Sequence, residues 1–254
     1  MVGRASTLLT WRTAAFVALA GALVAYYNVR ESLPDVSNWW DVALIALVMM
    51  PVVFGLVYLA LPLRRFRGLL LVGLALLALS VILDQGHFRI AANFTKLAAM
   101  TALGFAFLEL FESVSWVVLV ASIIPLVDAY SVWRGPTQHI VKHQRHLFTT
   151  LSFAFPVPGE HGAANLGLPD LLFFALFLGA AGRFNLRVGL TWLLLVTSFG
   201  ATMALAVGFD VAGLPALPLL SLAFFAANAD LLWRTLRRRG STENPPARER
   251  TEAG

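Results

Sequence analysis

The sequence predicts an all-α polytopic membrane protein. Of its 254 residues, 59% are hydrophobic and 13% are charged, whereas a soluble domain carries about 25% charged residues. The mean hydropathy is +0.76. Apolar runs recur at about 20 residues, the length that a helix needs to cross a bilayer. No segment alternates like the strand of a membrane barrel, so the spans are predicted to be helices.

The sequence divides into eight apolar segments, and we expect eight to nine membrane-spanning helices. Each segment is bounded by charged residues, prolines or glycines, which are typical of the ends of spans. In chain order the segments are Leu9–Tyr27, Trp39–Leu61, Gly68–Leu83, Ile90–Phe111, Ser113–Trp133, Leu166–Ala181, Val188–Phe209 and Leu214–Trp233.

Three of these segments have distinctive features. The first has the basic start of a signal peptide, but its apolar run is long and ends in Tyr26 and Tyr27, which favours a retained anchor. The second contains Pro51, which predicts a kink. Arg89 and Lys96 interrupt the fourth, the weakest of the eight segments.

We divide the chain into three regions. Residues 1–112 form an N-terminal four-helix membrane region. Residues 113–233 form a second membrane region with a polar connection at 134–165. Residues 234–254 are rich in Arg, Glu and Pro and are predicted to be a disordered tail.

Composition also limits the partners and the location. The chain has no cysteine, which excludes disulfides, zinc–thiolate sites and thiol nucleophiles. Its net charge of +5 comes from short arginine clusters between apolar runs, a pattern that indicates contact with the lipid bilayer rather than with nucleic acid. With eight spans, the membrane side that holds both termini carries more Arg and Lys residues than the opposite side, so both termini are predicted to be cytoplasmic. Richness in Arg, Ala and Leu favours a bacterial cytoplasmic (inner) membrane.

Two carboxylates, Asp128 and Asp170, lie inside apolar runs. Placing an ionisable group there costs about 2.5–3.5 kcal/mol, so such groups usually mark function. Asp128 lies near the end of the fifth segment and Asp170 near the start of the sixth. One connection joins these two segments, so both residues lie toward the same side of the membrane. Two adjacent carboxyls can share a proton. The ionised carboxylate can then activate a water molecule, while the protonated carboxyl donates a hydrogen bond to a peptide carbonyl. The alternative is that each carboxylate caps a helix or pairs with an arginine.

The connection between these spans contains a histidine cluster. His139, His143 and His146 would share one face of a helix, as metal ligands often do. The alternative is a basic amphipathic segment, Gln138–Phe148, that lies on lipid headgroups. We favour the second interpretation, and therefore expect neither a metal site nor a cofactor.

Three motifs appear in order along the second half of the chain. Val127–Trp133 resembles the Tyr-Asp-Ala-x-Ser-Val-Tyr stretch of presenilin-like proteases, and Gly167–Asp170 resembles their Gly-x-Gly-Asp motif. Gly213–Pro218 is similar to their Pro-Ala-Leu motif. The chain thus resembles the intramembrane aspartyl proteases, the family of presenilin and signal peptide peptidase, over about Phe107–Asp230.

The resemblance implies a presenilin-like helical bundle. Asp128 and Asp170 would be the catalytic pair that cleaves peptide bonds within transmembrane helices, such as signal-peptide remnants or membrane-anchor fragments. The residues beside them would hold the substrate as an extended strand. These expected substrate-binding residues are Gly167, Leu168, Pro169, Pro215, Ala216 and Leu217.

Two residues depart from the family pattern, and two other functions stay open. Val127 stands where the family has Tyr, and Pro169 replaces the Gly before the second Asp. These changes motivate a non-catalytic binding scaffold as the alternative. A proton-coupled transporter is less favoured, because the repeated halves typical of transporters are missing from the sequence.

Overall fold

The computed structural model describes residues 2–35, 37–134, 150–160, 162–211 and 214–243. This part of the chain is mostly helical. Its α-helices are α1 (Val2–Val29), α2 (Asn38–Leu44), α3 (Met50–Leu59), α4 (Leu69–Gln85), α5 (Arg89–Leu108), α6 (Val114–Arg134), α7 (Leu168–Arg183), α8 (Val188–Gly208) and α9 (Leu217–Glu243).

The structure confirms a helical membrane protein, but it does not confirm eight spans. In the described part of the chain, five helical segments are long and apolar enough to cross a membrane. They are Trp11–Ser32, Asn38–Arg65, Arg89–Leu108, Val114–Val132 and Val188–Gly208. Helix α4 has 17 residues and α7 has 16, about 25 Å of helix.

One element departs from the all-α prediction. Ser152–Pro156 (β1) and Ala163–Gly167 (β2) form an antiparallel hairpin in which Ala154 is opposite Asn165. The sixth segment was expected to begin at Leu166, but its first two residues belong to β2 and the helix begins at Leu168. The hairpin lies in what was predicted to be a polar connection.

The turn of the hairpin is attached to the end of α1. Gly159 has φ +71°, a conformation that side chains other than glycine rarely adopt. Its N–H donates to the Arg30 carbonyl at 2.9 Å, and a Cβ there would lie 2.6 Å from the Asp35 backbone nitrogen. A glycine is therefore required for this close approach.

Helix α7 forms the centre of the packed core. Its residues from Phe174 to Ala181 are all buried, and the Phe174 ring stacks on Phe54 with centroids 4.1 Å apart. Helix α5 packs against it closely at Gly104, where a Cβ would lie 2.6 Å from the Leu172 carbonyl oxygen. This contact fixes α7 relative to α5.

Helix α6 lies at the periphery. Val114, Val117 and Ala121 are buried near its start, but none of the described side chains from residue 122 to 132 is buried. Pro125 lies inside the helix and lacks the N–H that would bond the previous turn. The second half of α6 is therefore weakly held.

A π-helical stretch, Ile45–Met49, lies directly before α3, which contains Pro51 in its first turn. Such stretches occur often at functional sites. Met50, the next residue, lines the cavity described below.

Several predictions lie outside the described residues. These concern the histidines of the connection, the first residue of the third motif and the end of the tail: His139, His143, His146, His161, Gly213 and residues 244–254.

Candidate functional site

A cavity of about 580 Å³ opens between the hairpin and the ends of α6, α7, α8 and α9. Most of its wall is apolar, which is typical of a pocket that binds an organic ligand. Both sequence-predicted carboxylates, Asp128 and Asp170, line it. The structure thus brings together two residues that are 42 positions apart in the chain.

Asp170 is positioned by the start of α7. The helix follows β2 directly, with Gly167 as its N-cap. The backbone of Gly167 hydrogen-bonds the Asp170 carboxylate, and a Cβ on this glycine would lie 3.1 Å from Asp170 Oδ2. This is half of a capping box, in which the third helical residue reaches back to the N-cap.

Pro169 fits this arrangement. It is the second residue of α7, where the backbone N–H has no partner within the helix, so its loss costs little. The exposed Pro169 lines the cavity. The substitution that departs from the family pattern is therefore compatible with a helical Asp170.

Asp128 is positioned by α9. Its Oδ2 accepts a hydrogen bond from the backbone N–H of Leu217 at 3.0 Å. Leu217 is the first residue of α9, and N–H groups at a helix start carry a partial positive charge that favours an anion. Val127, the other departure from the family pattern, is 53% exposed.

The predicted Pro-Ala-Leu wall therefore has two roles. Pro215 and Ala216 line the cavity, while Leu217 is buried and its N–H is engaged with Asp128. The Leu217 N–H is therefore not free to bond a substrate strand, because it already donates to the Asp128 carboxylate.

Strand β2 lies along the cavity over its full length, and of β1 only the Phe155 side chain reaches it in the described part of the chain. In an antiparallel pair, the N–H and C=O of each residue point to the same side, and this side alternates along the strand. On β1, the backbone groups of Ser152, Ala154 and Pro156 point away from β2. The residues opposite them on β2 must then point their N–H and C=O groups away from β1; these are Ala163, Asn165 and Gly167.

These outward groups of β2 meet local partners. The Asn165 side-chain amide donates to the Ala163 carbonyl at 3.2 Å, and Gly167 contacts Asp170 as described above. Leu168, the remaining predicted binding residue, is buried and continues the ladder by donating to the Leu151 carbonyl. It does not line the cavity.

Sequence reasoning missed the hairpin and the residues that hold it. The alternation in Ser152–Pro156, with Phe at every second position, was the available signal. Asn93 and Lys96, both buried on α5 beside the hairpin, were also missed as part of this region. Polar residues on an otherwise apolar helix could have drawn attention to it.

No cluster of three or more His, Asp or Glu side chains that could hold a metal ion occurs among the described residues. The arrangement of the cavity instead offers two carboxylates, an apolar wall and a strand edge. These parts can hold an extended peptide next to a pair of groups able to transfer protons.

No protein-family model matches the chain, and no curated protein matches it significantly. The family resemblance therefore rests on the three motifs and stays a prediction.

Proposed function

We propose that this protein is an intramembrane aspartyl protease that cleaves peptide bonds within transmembrane helices, using Asp128 and Asp170. The observation that carries the proposal is that both carboxylates line one cavity. The three motifs resemble the presenilin and signal peptide peptidase family and supply the same two residues.

The proposed chemistry needs the two carboxyls to share one proton. The ionised carboxylate removes a proton from water, and the oxygen of that water attacks the carbonyl carbon of the scissile bond. The protonated carboxyl donates its proton to the carbonyl oxygen. The carboxyl that took the proton from water then donates it to the leaving nitrogen as the C–N bond breaks, and the other carboxylate takes a proton back from the substrate oxygen as the carbonyl re-forms. Because one group must be ionised and the other protonated, we expect optimal cleavage between about pH 5 and 8.

The substrate must be extended at the cleavage point, because a helix hides its carbonyls in internal hydrogen bonds. An extended segment can add to the edge of a sheet through backbone hydrogen bonds. The cavity-side edge of β2 supplies such groups at Asn165, and it ends at Gly167, three residues before Asp170. A strand added there would run past the carboxylates.

We propose eight spans in a presenilin-like bundle, with the shorter α4 and α7 and the helix α9 crossing alongside the five longer segments. We also propose the bacterial cytoplasmic membrane as the location. The substrates would be signal-peptide remnants or anchor fragments of single span.

The scaffold alternative retains one supporting observation. Val127 lacks the hydroxyl that the family has beside the first Asp. A scaffold would bind the same extended peptides in the same cavity without cleaving them. Binding and cleavage must therefore be measured separately.

The decisive experiment is cleavage of single-span reporter substrates by the purified protein in detergent. Asp128→Asn and Asp170→Asn keep the side-chain shape but remove the acid–base group, so each is expected to lower cleavage by at least about 10²–10⁴-fold. Asp230→Asn is the matched control. Asp230 forms an exposed ion pair with Arg187, which contributes at most about 1 kcal/mol.

Two outcomes would contradict the proposal. If folded wild-type protein neither cleaves any reporter nor binds a transition-state analogue of aspartyl proteases, the scaffold is favoured. If cleavage survives in either dyad variant, another group performs the chemistry. Loss of cleavage in both, with the Asp230→Asn variant unchanged, supports the dyad.

A further inference from the structure

Strand β1 has an outer edge, opposite the edge that pairs with β2. A two-stranded sheet normally offers both outer edges for the addition of another strand. In this structure the outer edge of β1 faces α1 and α5, and their side chains contact its backbone. The two edges of the hairpin are therefore different.

Asn93 of α5 pairs with Ala154 as a neighbouring strand would. The Ala154 N–H donates to Asn93 Oδ1 at 2.9 Å, and Asn93 Nδ2 donates to the Ala154 carbonyl at 2.9 Å. A side-chain amide carries the same acceptor and donor as a peptide group. Asn93 thus replaces one residue of a missing third strand.

The outward carbonyls of Ala154, Pro156 and Ser152 on β1 also have partners from Tyr27, Tyr26 and Lys96. Tyr27 donates to the Ala154 carbonyl at 2.6 Å and accepts from Asn93 at 2.8 Å. Tyr26 donates to the Pro156 carbonyl at 2.8 Å. Lys96 Nζ lies 3.4 Å from the Ser152 carbonyl oxygen.

These partners are held in place by burial. Asn93, Tyr27 and Lys96 are 5%, 6% and 4% exposed. A buried polar group that loses its partner costs more than the bond contributes, so these contacts are expensive to open. A substrate strand would have to break several of them to add at β1, whereas β2 borders an open cavity.

We propose that Asn93, with Tyr26, Tyr27 and Lys96, closes the outer edge of β1, so that an extended peptide adds only to β2 and therefore runs past Asp170. This assigns Asn93 as a positioning residue that acts through the hairpin. The inference rests on the proposed function, but the closed edge itself does not require proteolysis.

The absence of cysteine in the sequence makes the test direct, because any introduced thiol is unique. Ala154→Cys on β1 and Ala164→Cys on β2 are matched, since both alanines are partly buried on paired strands. The probe is a synthetic single-span peptide with one cysteine, crosslinked by mild oxidation to the full-length protein. We expect a disulfide with Ala164→Cys and none with Ala154→Cys.

The substitution Asn93→Leu should then open the outer edge of β1, because a leucine side chain has a similar size but cannot form hydrogen bonds. We expect crosslinking to appear at Ala154→Cys and amide exchange at Ala154 to accelerate about tenfold or more. Asn93→Asp retains the acceptor for the Ala154 N–H and is expected to restore slow exchange. Asn228→Leu is the control, because Asn228 is also buried but bonds Thr191 and the Arg187 N–H.

Unchanged Ala154 exchange in the folded Asn93→Leu variant would overturn the closed edge, whatever happens to cleavage. Crosslinking that stays confined to Ala164→Cys in that variant would overturn its directing role. Absence of cleavage by the wild type, with exchange as expected, contradicts the protease and leaves the closed edge supported.

Discussion

The two candidate catalytic carboxylates sit on helices with opposite packing. Asp170 begins α7, whose residues from Phe174 to Ala181 are all buried. Asp128 lies in the half of α6 where no described side chain is buried, beyond Pro125. A hydrogen bond from the Leu217 N–H connects Asp128 to the start of α9.

This difference indicates how the site is assembled. Helix α7 is a fixed support, because the core and the close contact at Gly104 hold it. Because no described side chain from residue 122 to 132 is buried, we expect that the second half of α6 can shift without disturbing the core. We infer that the geometry of the dyad depends on α6 and that the stability of the protein depends on α7.

The largest expected effect is a loss of stability when a buried side chain of α7 is removed from the core. Phe174→Ala removes a ring stacked on Phe54 and close to Phe199 and should lower the free energy of unfolding by about 3–5 kcal/mol. Leu126→Ala on α6, where the side chain is 72% exposed, should change it by less than about 0.5 kcal/mol. Denaturant titration in detergent measures both, and equal losses would contradict the comparison.

Composition and apolar run length were enough to predict the helical class, because a membrane helix is specified by local sequence. They were not enough to predict the hairpin. Its two strands have five residues each, and their stability depends on Asn93 and Tyr27, which are more than 60 positions away. Such long-range contacts leave little trace in a local pattern.

The parts of the site that could be predicted are those where a charged residue lies within an apolar segment. Asp128 and Asp170 stood out as carboxylates in apolar runs, and both line the cavity. Lys96 also stood out, but it was interpreted as weakening a span rather than as a donor to the hairpin. The engagement of Leu217 with Asp128 was not predictable, because a backbone N–H has the same sequence signature everywhere.

The link between α6 and α9 can be removed with one substitution. Leu217→Pro deletes the N–H that Asp128 accepts, at a first helical position where proline is tolerated. A hydrogen bond to a charged group contributes about 1.5–3 kcal/mol, so kcat/KM should fall about 10–100-fold. Leu217→Ala is the control, because it also truncates the buried side chain but keeps the N–H. Equal activity of the two variants would show that this bond does not position Asp128.

The smallest effect is expected from stiffening α6 itself. Pro125→Ala restores an N–H that can bond the Ala121 carbonyl, four residues earlier, so the unfolding temperature should rise by a few degrees. If Asp128 must adjust to reach the bound peptide, cleavage should fall at the same time, by less than about tenfold. Ser122→Ala, one turn earlier on an exposed position, is expected to change neither quantity. Faster cleavage by the Pro125→Ala variant would mean that α6 works best as a rigid rod, and the contrast between the two helices would then concern stability alone.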